Sequence, residues 1–266
     1  MRKSQRYYMH PDLTRYITIC LHTARAQVGI IGVGTMGGSL ALLLADHGID
    51  VSIYDKYEPN LQKTTVSAQK SGLSARVHPC ADYASLCRSL ASNKVFLFSL
   101  PNGRPGDAVV AALEPHLAPG DMLVDASNEN YKVTQRRREA LLPRGVAYVG
   151  LGVSGGSHGA RNGPSLMPGG DAEAVERLMP VLTRIAARDD RGRPCVMNVG
   201  GGGSGHFVKM MHNGIEHGVM SALCEAWEIM DQGLGMTGDE TGDVFDSWNA
   251  QGELVRTTIR ECPVSS

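Results

Sequence analysis

Alternating apolar runs and amphipathic stretches, a glycine-rich turn between the first strand and the first helix, and one long helical pattern near the C-terminal end predict an α/β fold. The expected architecture is a mainly parallel sheet with helices on both faces, followed by the start of an all-helical domain. Composition permits it. The chain has 266 residues, 42% hydrophobic and 20% charged, enough to bury a sizeable core without staples. The expected division is an extension over 1–25, a sheet domain over 26–203 and a helical segment over 204–266.

The first strand is expected at Gln27-Val28-Gly29-Ile30-Ile31, leading into Gly32-Val33-Gly34-Thr35-Met36-Gly37 and a helix through Leu44 and His47. That order, strand then GxGxxG then helix, is the context of a dinucleotide site in a Rossmann-like fold. Gly32 makes the tight turn, Gly34 admits a pyrophosphate, Gly37 allows close packing, and Thr35 and Met36 open the helix beside the phosphates. A purely structural glycine turn is the competing reading. The second strand, Asp50 to Tyr54, ends in Asp55 about twenty residues on, where an acid holds the ribose hydroxyls of NAD. Asp55 could equally be a loop or capping acid, and Lys56 beside it could receive the 2′-phosphate of NADP.

Alternation continues with a helix from Glu58 to Ser71, a strand at Arg76-Val77-His78, a helix from Tyr83 to Leu90, a strand from Lys94 to Leu100, a helix from Asp107 to Leu117 and a strand from Asp121 to Asp125. Ligands in such sheets sit at the carboxyl ends of strands, which directs attention to Pro101-Asn102-Gly103-Arg104 and Ser127-Asn128-Glu129-Asn130. The stretch Gly150 to Gly170 reads as an ordered loop too glycine-rich for regular structure, with Ser154, Gly155 and Gly156 forming an anion cradle. A helix from Ala172 to Ala187 and a strand from Cys195 to Val199 follow.

Gly200 to Gly203 then deliver the chain into a helix with Ser204 as N-cap. On this helix Lys209, His212, Asn213 and Glu216 stand at i, i+3, i+4 and i+7 and share one flank. Val208, Met211, Ile215, Val219, Ala222, Ala226 and Ile229 form an apolar stripe expected to hold the helix to the core. A lysine bordering a buried face can lose its proton readily enough to act as a base. A second helix is expected from Thr241 to Gly252.

Charge and cysteines narrow the function. The formal net charge is −1 with no basic stripe, so neither nucleic acid nor an anionic membrane is an expected partner. The six cysteines (Cys20, Cys80, Cys87, Cys195, Cys224, Cys262) lack zinc spacing and read as reduced cytoplasmic thiols, and no metal site is expected. No apolar run approaches the roughly eighteen residues that cross a bilayer. Residues 1–25 carry five basic residues against Asp12, a faint sign of a mitochondrial presequence, but few serines and no clear amphipathic face favour an unstructured extension or a misassigned start.

Three blocks resemble the 6-phosphogluconate dehydrogenases, within the wider β-hydroxyacid dehydrogenases: the turn Gly32 to Gly38, the block Gly152 to Gly156 with Gly159-Ala160-Arg161 and Gly163 to Gly170, and the helix Gly205 to Glu216. The resemblance runs from about Gln27 to Leu254. It implies oxidative decarboxylation of 6-phosphogluconate, a sugar-acid phosphate, to ribulose 5-phosphate with reduction of NADP, as in the pentose phosphate pathway. It also implies Lys209 as catalytic base, Glu216 as catalytic acid, and Asn128, Ser154, Gly155, Gly156, His212 and Asn213 as substrate contacts, with Asn128 also near the cofactor.

The chain departs from the family's pattern in places. Asp55-Lys56-Tyr57 replaces an Asn-Arg-Thr run that grips the 2′-phosphate, leaving NAD open as cofactor, and His217 replaces a tyrosine near the substrate phosphate. Family members continue through a long helical domain bearing a Lys-Gly-Thr-Gly motif and form homodimers. A truncated member is therefore expected, a poor catalyst by itself, with Met210, Met220, Leu223 and Trp227 exposed and prone to association. A dehydrogenase of a smaller β-hydroxy acid and a non-catalytic nucleotide-binding remnant are the alternatives.

Overall fold

The computed structural model describes residues 26–251; the expectations for residues 1–25 and 252–266 lie outside the described residues. Seven strands form one sheet in the order β3-β2-β1-β4-β5-β6-β7, where β1 is Val28–Ile31, β2 Val51–Tyr54, β3 Val77–Pro79, β4 Val95–Phe98, β5 Met122–Asp125, β6 Ala147–Ser154 and β7 Ser165–Gly170. Neighbours are parallel except β6 and β7, which run antiparallel with Val149 opposite Gly170 and Ser154 opposite Ser165.

Helices α1 (Thr35–Asp46), α2 (Glu58–Lys70), α3 (Tyr83–Ser89), α4 (Arg104–Leu113), α5 (Tyr131–Leu141), α6 (Gly156–Asn162) and α7 (Ala172–Ile185) lie between or after the strands. Beyond them come α8 (Ser204–Glu228), a π-turn (Ile229–Gly233) and α9 (Gly238–Gln251). Among the described residues no helix is long and apolar enough to cross a membrane.

Strand pleating divides the core into two layers. Ile30, Leu97, Val124 and Val149 point to one face, where they meet Leu40 and Leu44 of α1 and Val175 and Leu182 of α7. Ile31, Phe96, Phe98, Leu123 and Tyr148, one residue out of step, point to the other face and pack with Leu86 of α3, Leu113 of α4 and Leu141 of α5. Burial on both faces explains why these strands read as unbroken apolar runs.

Several expectations are corrected. Gly150 to Gly170 is regular structure: the end of β6, then α6, then β7. Its glycines serve close packing. A Cβ on Gly152 would stand 2.9 Å from Cβ of Lys209 and 3.0 Å from the Gly205 carbonyl oxygen, and a Cβ on Gly205 would run into the Gly150 carbonyl. Glycine here lets α8 settle directly on the β6–β7 pair.

Cys195 to Val199 does not form an eighth strand. It follows β7 through Leu166 N–H to Cys195 O, Met197 N–H to Leu166 O and Val199 N–H to Pro168 O, but only as an isolated bridge at Val196. Pro168 has no N–H to continue the ladder. The helix expected from Asp107 begins earlier, at Arg104, with Pro105 in its first turn, and gives way to a 3-10 turn at Glu114–His116.

Ser204 does not cap α8. Gly203 holds the N-cap position, where a Cβ would collide with the Tyr131 carbonyl, and the buried Ser204 hydroxyl has no hydrogen-bond partner among the described residues. The apolar stripe does not hold α8 down either. Met211, Ile215, Val219 and Ile229 are exposed, as are Met210, Met220 and Trp227, while Leu223 is half-buried. Only Gly205, His206 and Lys209 of α8 are buried, because the β6–β7 pair reaches no farther along the helix.

Candidate active site

The glycine-rich turn between β1 and α1 has the geometry its spacing implies. Gly32 has φ +80°, and a Cβ there would press on Leu100 at 2.5 Å and on the Ser99 carbonyl at 2.7 Å. A Cβ on Gly37 would run into the Gly32 carbonyl. At Gly34 a Cβ would meet only Asn60 Nδ2, 3.8 Å away, so the face of the turn that a pyrophosphate would approach is open. No side chain caps α1, which leaves its first-turn N–H groups facing that opening, with Thr35 exposed and Met36 half-buried against the core. The residues present therefore fit a dinucleotide.

Asp55 stands just past β2. Its Oδ2 accepts from the Val33 N–H at 2.9 Å and from Asn60 Nδ2 at 3.1 Å, and its Oδ1 accepts from the Tyr57 N–H at 2.9 Å. The acid thus ties the start of α2 to the glycine turn, and Lys56 beside it is exposed.

The loops after β4 and β5 are fixed by a group the sequence reading missed. Arg137 of α5, buried, places Nη1 3.0 Å from Glu129 Oε2 and 3.2 Å from Asp125 Oδ2, Nε 2.9 Å from Asp107 Oδ1, and Nη2 2.8 Å from the Gly103 carbonyl. Glu129 in turn accepts from the N–H groups of Gly103 and Asn130 at 2.8 Å each. The Tyr148 hydroxyl donates to Asp125 Oδ2 at 2.8 Å; burial pushes this phenol well above its ordinary pKa, and the Asp125 charge adds to the rise. Burial would raise Asp107, but Arg137 and Arg136 outweigh it and hold this carboxyl below its usual range. One arginine thereby locks Gly103 against Glu129 and leaves Asn128 exposed at the carboxyl end of β5. The only hint in the sequence is Arg136-Arg137-Arg138 inside a helical pattern, and the pattern does not tell which of the three is buried.

At the base of α8, His206 is buried between α5 and the sheet. Its Nε2 lies 3.0 Å from the Asp125 carbonyl, which can only accept, so Nε2 carries a proton; Nδ1 lies 2.6 Å from Thr134 Oγ1. Tyr131 and Phe207 meet edge to face alongside. One turn on, Lys209 crosses Gly152 and is 8% exposed. Burial lowers its pKa below the ordinary lysine value, and the negative charge of Glu216 works in the opposite direction. The expected base is thus held where an ammonium loses its proton more readily.

Ser154, at the end of β6, joins this helix. Its Oγ is 3.1 Å from His212 Nε2, while His212 Nδ1 faces Asn213 Oδ1 at 3.2 Å and Glu216 Oε2 at 3.6 Å. Both of those are acceptors, so Nδ1 is the donor toward them, and Nε2 shares a hydrogen bond with the Ser154 hydroxyl. Gly155 and Gly156, with φ +121° and +57°, turn the chain from β6 into α6 beside Ser154. Lys209, His212, Asn213, Glu216 and Ser154 therefore form one group, with Gly155 and Gly156 next to it. His217 is exposed and outside its hydrogen bonds.

An open glycine turn at one end of a mainly parallel sheet, with a helix carrying Lys209 and Glu216 set against the end of β6, places the chain among Rossmann-like dinucleotide-binding proteins. The NAD binding domain of 6-phosphogluconate dehydrogenase matches residues 27–201, and the C-terminal domain of the same enzyme matches residues 205–258. The chain belongs to the 6-phosphogluconate dehydrogenase family.

It is 44% identical over 230 residues to the decarboxylating 6-phosphogluconate dehydrogenase of Emericella nidulans, covering 85% of this chain and 46% of that protein. It is 40% identical to a rice (Oryza sativa) homologue of the same description, covering 89% and 49%. The solved Plasmodium falciparum 6-phosphogluconate dehydrogenase, studied apo and with NADP+ and with 6-phosphogluconate, superposes with a TM-score of 0.78 at 31% identity, covering 84% of this chain and 47% of that one. A 3-hydroxyisobutyrate dehydrogenase from Mycobacterium tuberculosis shares the fold at 22% identity and a TM-score of 0.67. The chain spans about half the length of the curated relatives it matches.

Proposed function

We propose that this chain carries the cofactor site and the reacting-centre residues for oxidative decarboxylation of 6-phosphogluconate to ribulose 5-phosphate and CO2 with reduction of NADP. The observation that carries the reading is Lys209, buried over Gly152 with a lowered pKa, one helical turn from the Ser154–His212–Glu216 group. NADP, when bound, accepts the hydride from the C3 carbon of the substrate. Lys209 takes the C3 hydroxyl proton as the hydride leaves. The 3-keto acid so formed has its carboxylate β to a carbonyl, and the protonated Lys209 supports the developing enolate oxygen as CO2 departs. Glu216 then protonates C1 of the enediol.

Ser154, His212 and Asn213 supply hydroxyl, ring and amide groups that hold the substrate, and Gly155 and Gly156 supply backbone beside them. Asn128, exposed at the end of β5, is assigned in this reading to both substrate and cofactor, and Gly32, Gly34, Thr35, Met36 and Gly37 to the pyrophosphate. His217, outside the bonded group, is left as a contact for the substrate phosphate. The experiment is a single-turnover measurement: NADPH absorbance on adding 6-phosphogluconate to a stoichiometric excess of the chain. Wild type should form NADPH and Lys209→Met should form none, while calorimetry shows NADP binding unchanged; NADPH formation by Lys209→Met at the wild-type rate refutes the assignment.

A further inference from the structure

Asn128 stands on the β5 loop between two buried residues. Ser127 and Glu129 are each 6% exposed while Asn128 is open to solvent, the alternation of an extended chain whose first and third side chains turn inward and whose second turns out. Both inward side chains bind the loop that follows β4. Ser127 Oγ accepts from the Leu100 N–H at 3.1 Å, and Glu129 Oε2 accepts from the Gly103 N–H at 2.8 Å. Leu100 is also the side chain on which a Cβ at Gly32 would press, so the β4 loop lies against the glycine turn. Asn128 is thereby held in one frame with that turn.

Glu129 uses both of its oxygens. Oε1 accepts from the Asn130 N–H at 2.8 Å, and Oε2 meets Arg137 Nη1 at 3.0 Å as well as the Gly103 N–H. A carboxamide has one acceptor oxygen and could not serve all of these donors. Gly103, at φ +81°, is gripped from both sides, because its carbonyl accepts from Arg137 Nη2 at 2.8 Å. Neutralising Arg137 does not require Glu129, since Asp107 and Asp125 already pair with that guanidinium. What the third carboxylate adds is a pair of backbone bonds on the two loops next to Asn128.

We propose that Glu129 is a positioning residue of the reaction site: its carboxylate clasps the loops after β4 and β5 together and so fixes Asn128. The role rests on the assignment of Asn128 to substrate and cofactor. Glu129 itself touches neither and takes no proton; it acts only through where it holds its neighbour. Rate is sensitive to such placement, because a shift of about 1 Å in a contacting group can cost about a hundredfold.

The test is a double-mutant cycle on single-turnover NADPH formation from NADP and 6-phosphogluconate, using wild type, Glu129→Gln, Asn128→Ala and the double variant. Glutamine fills nearly the same volume and leaves Arg137 its pairs with Asp107 and Asp125, but it turns one acceptor oxygen into an amide group that faces a donor. Glu129→Gln should slow turnover by about tenfold or more, while NADP affinity, read by calorimetry, stays within about threefold. Beside Asn128→Ala the same change should cost less than about twofold, because no side chain is left to position. Ser127→Ala opens the other bond to the β4 loop without touching a charge; it should slow turnover by about two- to fivefold, and this loss too should vanish beside Asn128→Ala. A merely structural role would give the same loss in both backgrounds. Equal losses, or Glu129→Gln as fast as wild type, overturn the positioning role and leave the reaction assignment standing. Wild type that forms no NADPH overturns the reaction assignment itself, and the role of Glu129 falls with it.

Discussion

The two ends of helix α8 are made from similar residues and behave in opposite ways. At its base, Gly205, His206 and Lys209 are buried on β6 and β7, with backbone so close that glycine is required on both sides. From Met210 onward the helix carries Met211, Ile215, Val219 and Met220, and these are exposed, Ile215 by 66%. The apolar period is as regular in the second part as theory asks of a packed helix. Periodicity thus names a face, and only close-approach glycines and buried polar bonds name the partner.

The largest effect that would break this contrast is Gly205→Val. Its side chain would be driven into the Gly150 carbonyl, which cannot yield as a flexible side chain would, and the expected cost is about 4 kcal/mol or more. On the same helix Ile215→Ala should change stability by no more than about 0.5 kcal/mol. Denaturant unfolding of the pair checks both, and equal costs would show that the distal half of α8 is as firmly held as its base.

A somewhat smaller loss is expected one layer below, where the base of α8 rests on α5 through His206 and Thr134. Arg137→Met removes the cation shared by Asp107, Asp125 and Glu129; Asp107 keeps Arg136, but the buried Asp125 and Glu129 lose their cation at a cost of about 3 kcal/mol. The Gly103 and Asn130 loops should loosen at the same time, read as faster amide exchange at these two residues than in Ile215→Ala. Unchanged exchange would mean that Glu129 holds the loops without the arginine.

The same contrast explains what the sequence revealed. From Gln27 to Asp125 the strands and helices were legible, because burial on both faces of a parallel sheet writes itself as short apolar runs between amphipathic ones. The glycine turn was legible because its three roles depend on residues within six positions. Gly150 to Gly170 was misread as a loop. Glycine looks the same in a loop and in a strand pressed by a helix, and the helix that decides the matter begins at Ser204. Arg137 was missed because its partners Asp107, Asp125 and Glu129 come from a helix, a strand and a loop, three different elements outside α5. The burial of Lys209 was foreseen for the wrong reason: its cover is Gly152 and the β6–β7 pair rather than the apolar stripe.

The smallest expected effect sits on the boundary between the two halves of α8. Lys209 belongs to the buried base, whereas the Glu216 side chain, two turns along, is 39% exposed. Burial depresses the lysine, and the glutamate charge raises it only in part. Glu216→Gln removes the raising influence, so the Lys209 pKa should fall further and its neutral amine should be populated at lower pH. The sign is the opposite of what would follow if Glu216 were the base that deprotonates the lysine. Because water screens a half-exposed carboxylate, the displacement should be modest and should diminish with added salt. The pH dependence of Lys209 acetylation by acetic anhydride, followed by mass spectrometry in wild type and Glu216→Gln, measures it directly. A profile moved to higher pH would mean that the pair is coupled through a proton rather than through charge.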